Sequence, residues 1–524
     1  MSRVGARSYK QLVVVLLCAA FVIAACGSSG SSKAKGDTSA TTAAPAGPKV
    51  GGHITYATQE VPSLDPLKLG EGSTGNDRGI QIYDTLLKLD AKGNVIPSMA
   101  LSMDSTDGIT WTMKLRPGVK FTDGTPYDAD AVVYNIKRQA DPANKFAFGG
   151  NVSDATEITA VDPTTVKFVL KAPNGSFPLG FTTLNGLIAS PTALKADPTG
   201  FGNKPVGAGP FMVKEYVRDD HLELVRNPDY WDKPKPYLDG ITVKIIQDPL
   251  VMSQALIANN VQAIIGTGIS LAAVKGNNDI KQIGGIDTGG EAVAIQSSKK
   301  PGNDIRFRQA IALAFDPNVV DQVITKGAWT DKVLLCPPFT KDSPECLPNV
   351  WPKADIPKAK QLIQAWLADG NNKSVTLLAI QGNTSNEFIQ QQLNAIGLDV
   401  KINTLPTADY VAKLNGGDFD IAWSAMTSFS SPYPKLFQYF HSKGGRAIPK
   451  ANNPDLDKAI EKARDGLTPD ARVAGYKDFQ QIMDTQYYYV WYSPYINGLL
   501  IRNNVNVGPQ AAGTNYHMAE FYLS

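Results

Sequence analysis

The sequence predicts an α/β protein of more than one lobe, and three observations carry that expectation. A chain of 524 residues is too long for a single hydrophobic core. Charged residues at 19% and aromatics at 9% describe an ordinary folded composition rather than a disordered one. Residues 375–426 read as strand, helix, strand, helix, strand, a unit that demands a parallel sheet with right-handed crossovers.

Taken in order, the chain opens with Arg3, Arg7 and Lys10, an apolar run from Leu12 to Ile23, and Ile23-Ala-Ala-Cys26. The run is shorter than the roughly 20 residues that span a bilayer but fits the core of a signal peptide. Small residues before one cysteine are similar to a bacterial lipobox, in which Cys26 is diacylated and becomes the mature amino terminus; a plain secretory signal is the alternative. Residues 1–25 are therefore expected to be removed. Residues 26–48, rich in Gly, Ser, Thr, Ala and Lys, are expected to form a flexible tether. The formal charge is +2, three positive charges leave with the signal and no acid does, so the body is near −1. That balance gives no electrostatic case for nucleic acid or for a polybasic membrane surface. The expected place is the outer face of the cytoplasmic membrane.

The folded body starts with a strand at Gly51 to Ala57, followed by the turn Glu60-Val-Pro-Ser-Leu-Asp-Pro66. Trp111 to Leu115 alternates as a strand. Thr125 is expected to cap a helix with Pro126 at its first position, and Ala129, Val132, Val133 and Ile136 give that helix a buried face. Strands follow at Thr165 to Leu170 and Ile241 to Ile246, with a hairpin of Phe211 to Tyr216 and Leu222 to Val225 between them. Helices are expected at Leu250 to Asn259, around Phe307, Ile311 and Ala314, after Asp316-Pro317, and at Pro357 to Leu367.

In the strand-helix repeat, Val375 to Ile380 is apolar and β-branched. Thr384-Ser-Asn-Glu387 reads as a capping box, Leu393 and Ile396 continue an apolar face from Phe388 or Ile389, and Gly397 stops the helix. Leu398 to Thr404 alternates, Thr407 is expected to cap a short helix ended by Gly416-Gly417, and Phe419 to Trp423 is the third strand. In open α/β sheets ligands sit beyond the carboxyl ends of the strands, which points at Trp423, Ser424, Ala425, Met426 and Thr427. Near the end, Tyr487-Tyr-Tyr-Val-Trp-Tyr492-Ser-Pro-Tyr495 fits either a buried strand of core aromatics or a segment from which Tyr492 or Tyr495 reaches a cleft.

The parts of an enzyme are not found. The four histidines are scattered without zinc-ligand spacing, and no nucleophile elbow, P-loop or dinucleotide fingerprint stands in a strand-turn-helix context. No catalytic residue, metal or cofactor is expected. Asp219-Asp220 reads as a solvated turn. Cys336 and Cys346 bracket a nine-residue loop, and in an oxidising exterior compartment a disulfide is the natural reading, with metal ligation as the alternative.

Several segments resemble bacterial extracytoplasmic solute-binding proteins of family 5, the dipeptide- and oligopeptide-binding class of ABC importers. They are Glu60 to Pro66, Trp111 to Pro126 running into Ala129 to Arg138, Pro205 to Phe211, Arg226-Asn-Pro-Asp-Tyr-Trp231, Ile305 to Ala310 with Ala314-Phe-Asp316, and Ile396-Gly397 with Gly417 to Asp420. The resemblance implies a bilobal periplasmic-binding-protein-like fold (type II) with an additional lobe. Lobe I would comprise 49–75, 190–297 and 494–524, lobe II 76–189, and lobe III 298–493, with hinge crossings near Ser297–Asp304 and Tyr492–Asn497. It also implies a monomer that closes on a peptide or peptide-like solute and is read by a membrane permease and its ATPase. Glu60 matches a position that contacts ligand backbone in oligopeptide binders, and Trp423 matches the aromatic at the end of the lobe III strand. Three residues further on, peptide binders usually carry an aspartate for the ligand's amino group, and this chain has Met426. Blocked peptides, glycan fragments or another amphiphile therefore stay open as ligands. An envelope hydrolase and a sensing or chaperone-like lipoprotein are the readings from other classes.

Overall fold

The structure, a computed structural model, describes residues 47–59, 61, 63–69, 73–146, 149–329, 331–334, 336–348, 351–427, 429, 432–509 and 516–524. The signal segment, Cys26 and Glu60 lie outside them.

Among the described residues the largest element is a mixed ten-stranded sheet. Its order is Asp399–Leu405, Ser374–Ile380, Ile421–Met426, Ile280–Ile295, Tyr489–Arg502, Ala263–Thr267, His53–Thr58, Gly240–Ile245, His221–Arg226 and Phe211–Val217. Two cores pack on it. One gathers Val293, Ile421, Phe307, Trp366, Leu393 and Trp491, and the other gathers Tyr56, Ile82, Phe211, Ile241 and Leu499. A third core packs under a four-stranded antiparallel sheet, with Trp111, Val132, Ile136, Phe168 and Phe177. The long strands Ile280–Ile295 and Tyr489–Arg502 pair antiparallel and run from the first core to the second, so one ribbon joins both lobes.

The strand-helix repeat forms as its apolar pattern dictates. Ser374–Ile380 pairs parallel with both Asp399–Leu405 and Ile421–Met426, with helices Ser385–Ala395 and Thr407–Gly416 between them. The caps differ from expectation. Thr384 has helical backbone and makes no cap bond; Asn383 Oδ1 instead accepts from the Ser385 amide at 2.7 Å. Pro406, not Thr407, stands at the next N-cap. Gly417, at φ +75°, ends that helix in the left-handed region where glycine carries no Cβ penalty.

The helix expected at Thr125 starts three residues later. Pro126 is held in a bridge to Lys120, and the Tyr127 amide donates to the Val119 carbonyl at 3.0 Å, so the backbone stays extended. Asp128 then caps Ala129–Ala140 by accepting from the Ala131 amide at 2.9 Å. From the other end of that helix, Arg138 donates two bonds to Asp65, at 2.8 and 2.6 Å, clamping it to the turn after the first strand.

The Arg226 to Trp231 segment has a structural purpose. Asp84 is buried, and both its oxygens are filled. Tyr230 OH (2.7 Å) and Trp231 Nε1 (3.0 Å) donate to Oδ2, while the Thr85 amide (2.7 Å) and Ser98 Oγ (3.1 Å) donate to Oδ1. The Arg116 guanidinium lies 3.9 Å from the Trp231 ring centre.

Candidate solute-binding site

The three parallel strands stand in the order second, first, third, so the chain reverses its lateral direction between Ser374–Ile380 and Ile421–Met426. Right-handed crossovers then place the two connecting helices on opposite faces and leave a crevice beyond Ile380 and Met426. Ser385 begins its helix at that edge, and Trp423 lies on the strand that runs into it.

A carboxylate stands there that the sequence reading did not single out. Glu291 lies on Ile280–Ile295, directly across from Ala425 on one side and Ser493 on the other. Its Oε2 accepts from Tyr492 OH at 2.6 Å, Ser385 Oγ at 2.7 Å and Trp423 Nε1 at 3.1 Å. Three separate elements converge on one oxygen. The ladder explains how Tyr492 arrives: Glu291 pairs with Ser493 and Ala292 with Trp491, so Tyr492 is an unpaired bulge residue. Bulges re-aim side chains in this way. A second irregularity lies between Asp287 and Gly290. At Gly289, with φ +94°, a Cβ would come within 2.1 Å of the Met426 carbonyl oxygen, so only glycine lets the two strands close at this edge.

The predicted residues take different places. Trp423 is half-buried, and its carbonyl receives the Tyr410 hydroxyl. Ala425 shares its face, next to Glu291. Ser424 faces the other way and accepts from Tyr489 OH at 2.8 Å. Met426 is fully buried, inside the first core. Tyr492 is buried, with its ring stacked on Phe315 at 4.9 Å and near Phe388. Burial, and after it the Glu291 charge, pushes the Tyr492 hydroxyl well above the usual tyrosine range. Tyr495 is half-buried opposite Asp287, and burial raises it too. Tyr489 and Trp491 are core residues.

Two cavities border the ribbon, and neither is lined by Glu291, Ser385 or Trp423. A cavity of about 800 Å³ is walled by Phe315, Trp351, Trp491 and Tyr492. Another of about 460 Å³ lies between Asn94 and Val95 of the third core's region and Asp287, Thr288, Phe339 and Phe429. Both fall in the range of small-molecule sites. Cys336 and Cys346 stand with sulfurs 2.03 Å apart. Among the described residues no group of three or more His, Cys, Asp or Glu gathers as a metal site, and no helix is long and apolar enough to cross a membrane.

Glu291 leaves a single local signal in the sequence. It is the one acid in the apolar run Ala292-Val-Ala-Ile295 and its flank, and it follows two glycines.

Two lobes joined by a paired ribbon, with aromatics and a carboxylate at the switch-point crevice, suit a solute binder. The chain belongs to the bacterial extracellular solute-binding proteins, family 5, whose middle-region model matches residues 94–447. The family binds solutes, and the chain is accordingly not an enzyme. It is 27% identical over 472 residues to Di/tripeptide-binding protein 2 of Pseudomonas aeruginosa, covering 83% of this chain and 88% of that one. Among solved structures, NikA from Brucella suis in complex with Fe(III)-EDTA superposes with a TM-score of 0.79 at 21% identity, covering 90% of this chain and 100% of that one. The periplasmic binding protein DppA from Helicobacter pylori in complex with the peptide STSA gives 0.74 at 23%, covering 91% and 98%. These two establish the bilobal α/β fold.

Proposed function

We infer that the chain captures a peptide or peptide-like solute outside the cell and hands it to the permease and ATPase of an ABC importer. The observation that carries this reading is the match to a di/tripeptide-binding protein along 88% of that protein's length. The mechanism is a population shift. A solute that touches both lobes binds the closed form better, and the permease reads the closed form. Lobe boundaries at 49–75, 190–297 and 494–524, at 76–189 and at 298–493 belong to this reading, with bending near 297–304 and 492–497. So do a monomeric state, a diacyl anchor on Cys26 after removal of residues 1–25, and a disulfide between Cys336 and Cys346. Glu60, Trp423, Ser424, Ala425, Met426, Tyr492 and Tyr495 are its proposed ligand-site residues, with Ser424 and Met426 backing the wall from the core side.

Met426 favours a second reading, a non-peptide solute such as a glycan fragment or another amphiphile, because the position lacks the aspartate that peptide binders use. Native mass spectrometry of the purified protein separates the two by the mass of the co-purified solute. Trp423→Ala should weaken binding of that solute about tenfold or more, read by calorimetry; unchanged affinity would place the site elsewhere. Cys26→Ser should release the protein from the membrane fraction.

A further inference from the structure

We propose that Glu291 is the acceptor for a ligand's primary ammonium group, in place of the acid missing at position 426, so that the preferred solute carries a free amine. This rests on the reading of the chain as a binder of peptide-like solutes and sharpens it.

Glu291 leaves one carboxylate oxygen without a donor among the described residues. Its three hydrogen bonds all fall on Oε2, and Oε1 accepts none from the described residues. No lysine, arginine or histidine among them forms an ion pair with it. The side chain is half-buried, so Oε1 keeps a path to solvent or solute. A partly desolvated carboxylate without a cation is unusual, since charges taken from water are ordinarily paired. Hydroxyl and indole donors fix its direction but bring no positive charge.

Position supports the same conclusion. Glu291 lies across the ladder from Ala425, and Gly290 lies across from Met426, so the carboxylate is one strand over and one residue back from the side chain it replaces. Met426 is turned into the core and could not present an acid to the crevice without burying it. The same edge is where the strand order reverses, the place where open α/β sheets bind ligands. Trp423 donates its indole N–H to Glu291, which fixes the ring edge beside the acceptor.

The test compares two probe pairs on the full-length protein by calorimetry: trialanine with N-acetyl-trialanine, and glucosamine with N-acetylglucosamine. In the natural protein the free amine of at least one pair should bind more tightly than its acetylated partner by about 10- to 100-fold, the size of one charge-assisted contact. Glu291→Gln keeps an oxygen for the three donors and removes the charge; it should abolish the preference for the free amine over its acetylated partner. Glu291→Asp should retain part of the preference, which shows that charge rather than shape is read. A preference that survives in E291Q, or equal loss of both members, would overturn the assignment and leave Glu291 as a clamp for Trp423 and Tyr492. If only glucosamine shows the effect, the peptide reading fails while Glu291 stands. Binding of neither free amine overturns both.

Discussion

Asp84 and Glu291 each collect a tyrosine hydroxyl and a tryptophan indole, and they differ in what is left over. Asp84 is 2% exposed and spends both oxygens on four donors, two of them from the Tyr230-Trp231 pair. Glu291 is half-buried and takes three donors on one oxygen. The first arrangement is closed: nothing from outside can bind it. The second is fixed in direction and open in capacity. The same pair of residue types thus serves a framework joint in one region and a receptive edge in the other, and the unused lone pairs separate the two.

Removing the carboxyl groups gives the largest contrast. Asp84→Ala strands buried hydroxyl and indole donors and should cost about 3–5 kcal/mol of folding stability, whereas Glu291→Ala should cost about 1–2 kcal/mol, because it strands the buried Ser385 and Tyr492 hydroxyls at a half-buried place where a water can stand in for the carboxylate. Urea denaturation of both variants decides it, and equal losses would make Glu291 a framework residue. A third carboxyl extends the series. Asp484 is 4% exposed, and neither of its oxygens accepts a bond from the described residues. Burial pushes its carboxyl up to about 8. A raised acid binds its proton more tightly in the folded state than in the unfolded chain. Its contribution is therefore fully present below about pH 4 and declines as pH rises toward 8, by up to about 1.4 kcal/mol per pH unit. Asp484→Asn should remove that slope. Thermal melts should show little difference at pH 4, with the variant gaining on the natural protein up to pH 8; parallel curves would contradict a protonated Asp484. The smallest contrast is one hydroxyl at each joint. Tyr230→Phe should cost about 1.5–3 kcal/mol, and Tyr492→Phe about 0.5–1 kcal/mol. Chemical denaturation resolves the gap, and a reversed order would mean that the Glu291 cluster carries the fold.

The parallel repeat was legible because Val375 to Ile380 and Phe419 to Trp423 are largely apolar runs of strand length, and burial follows most of their apolar positions. Helix starts were less so. Thr125-Pro126 satisfies every local preference for a start, yet a bridge to Lys120 holds Pro126 extended and leaves Asp128 to cap. The Thr384 to Glu387 pattern likewise has the letters of a capping box, while Asn383 does the capping and Ser385 spends its hydroxyl on Glu291. In the first case a bridge only six residues back decided, and in the second a partner 94 residues away took the serine hydroxyl. Glu291 was missed because its partners are distant in sequence. Its donors lie 94, 132 and 201 residues away, and no local window contains them.

The unpaired place of Tyr492 in the ribbon has an evolutionary consequence. A residue in a regular ladder cannot be inserted or deleted without turning every later side chain to the opposite face. Tyr492 is already the extra residue, so its loss would leave Trp491 against Ala292 and Ser493 against Glu291 as they are now. This edge of the ribbon can therefore gain or lose a side chain while the strand pairing stays put. Descendants of one scaffold could drift toward new solutes at this position without first having to refold.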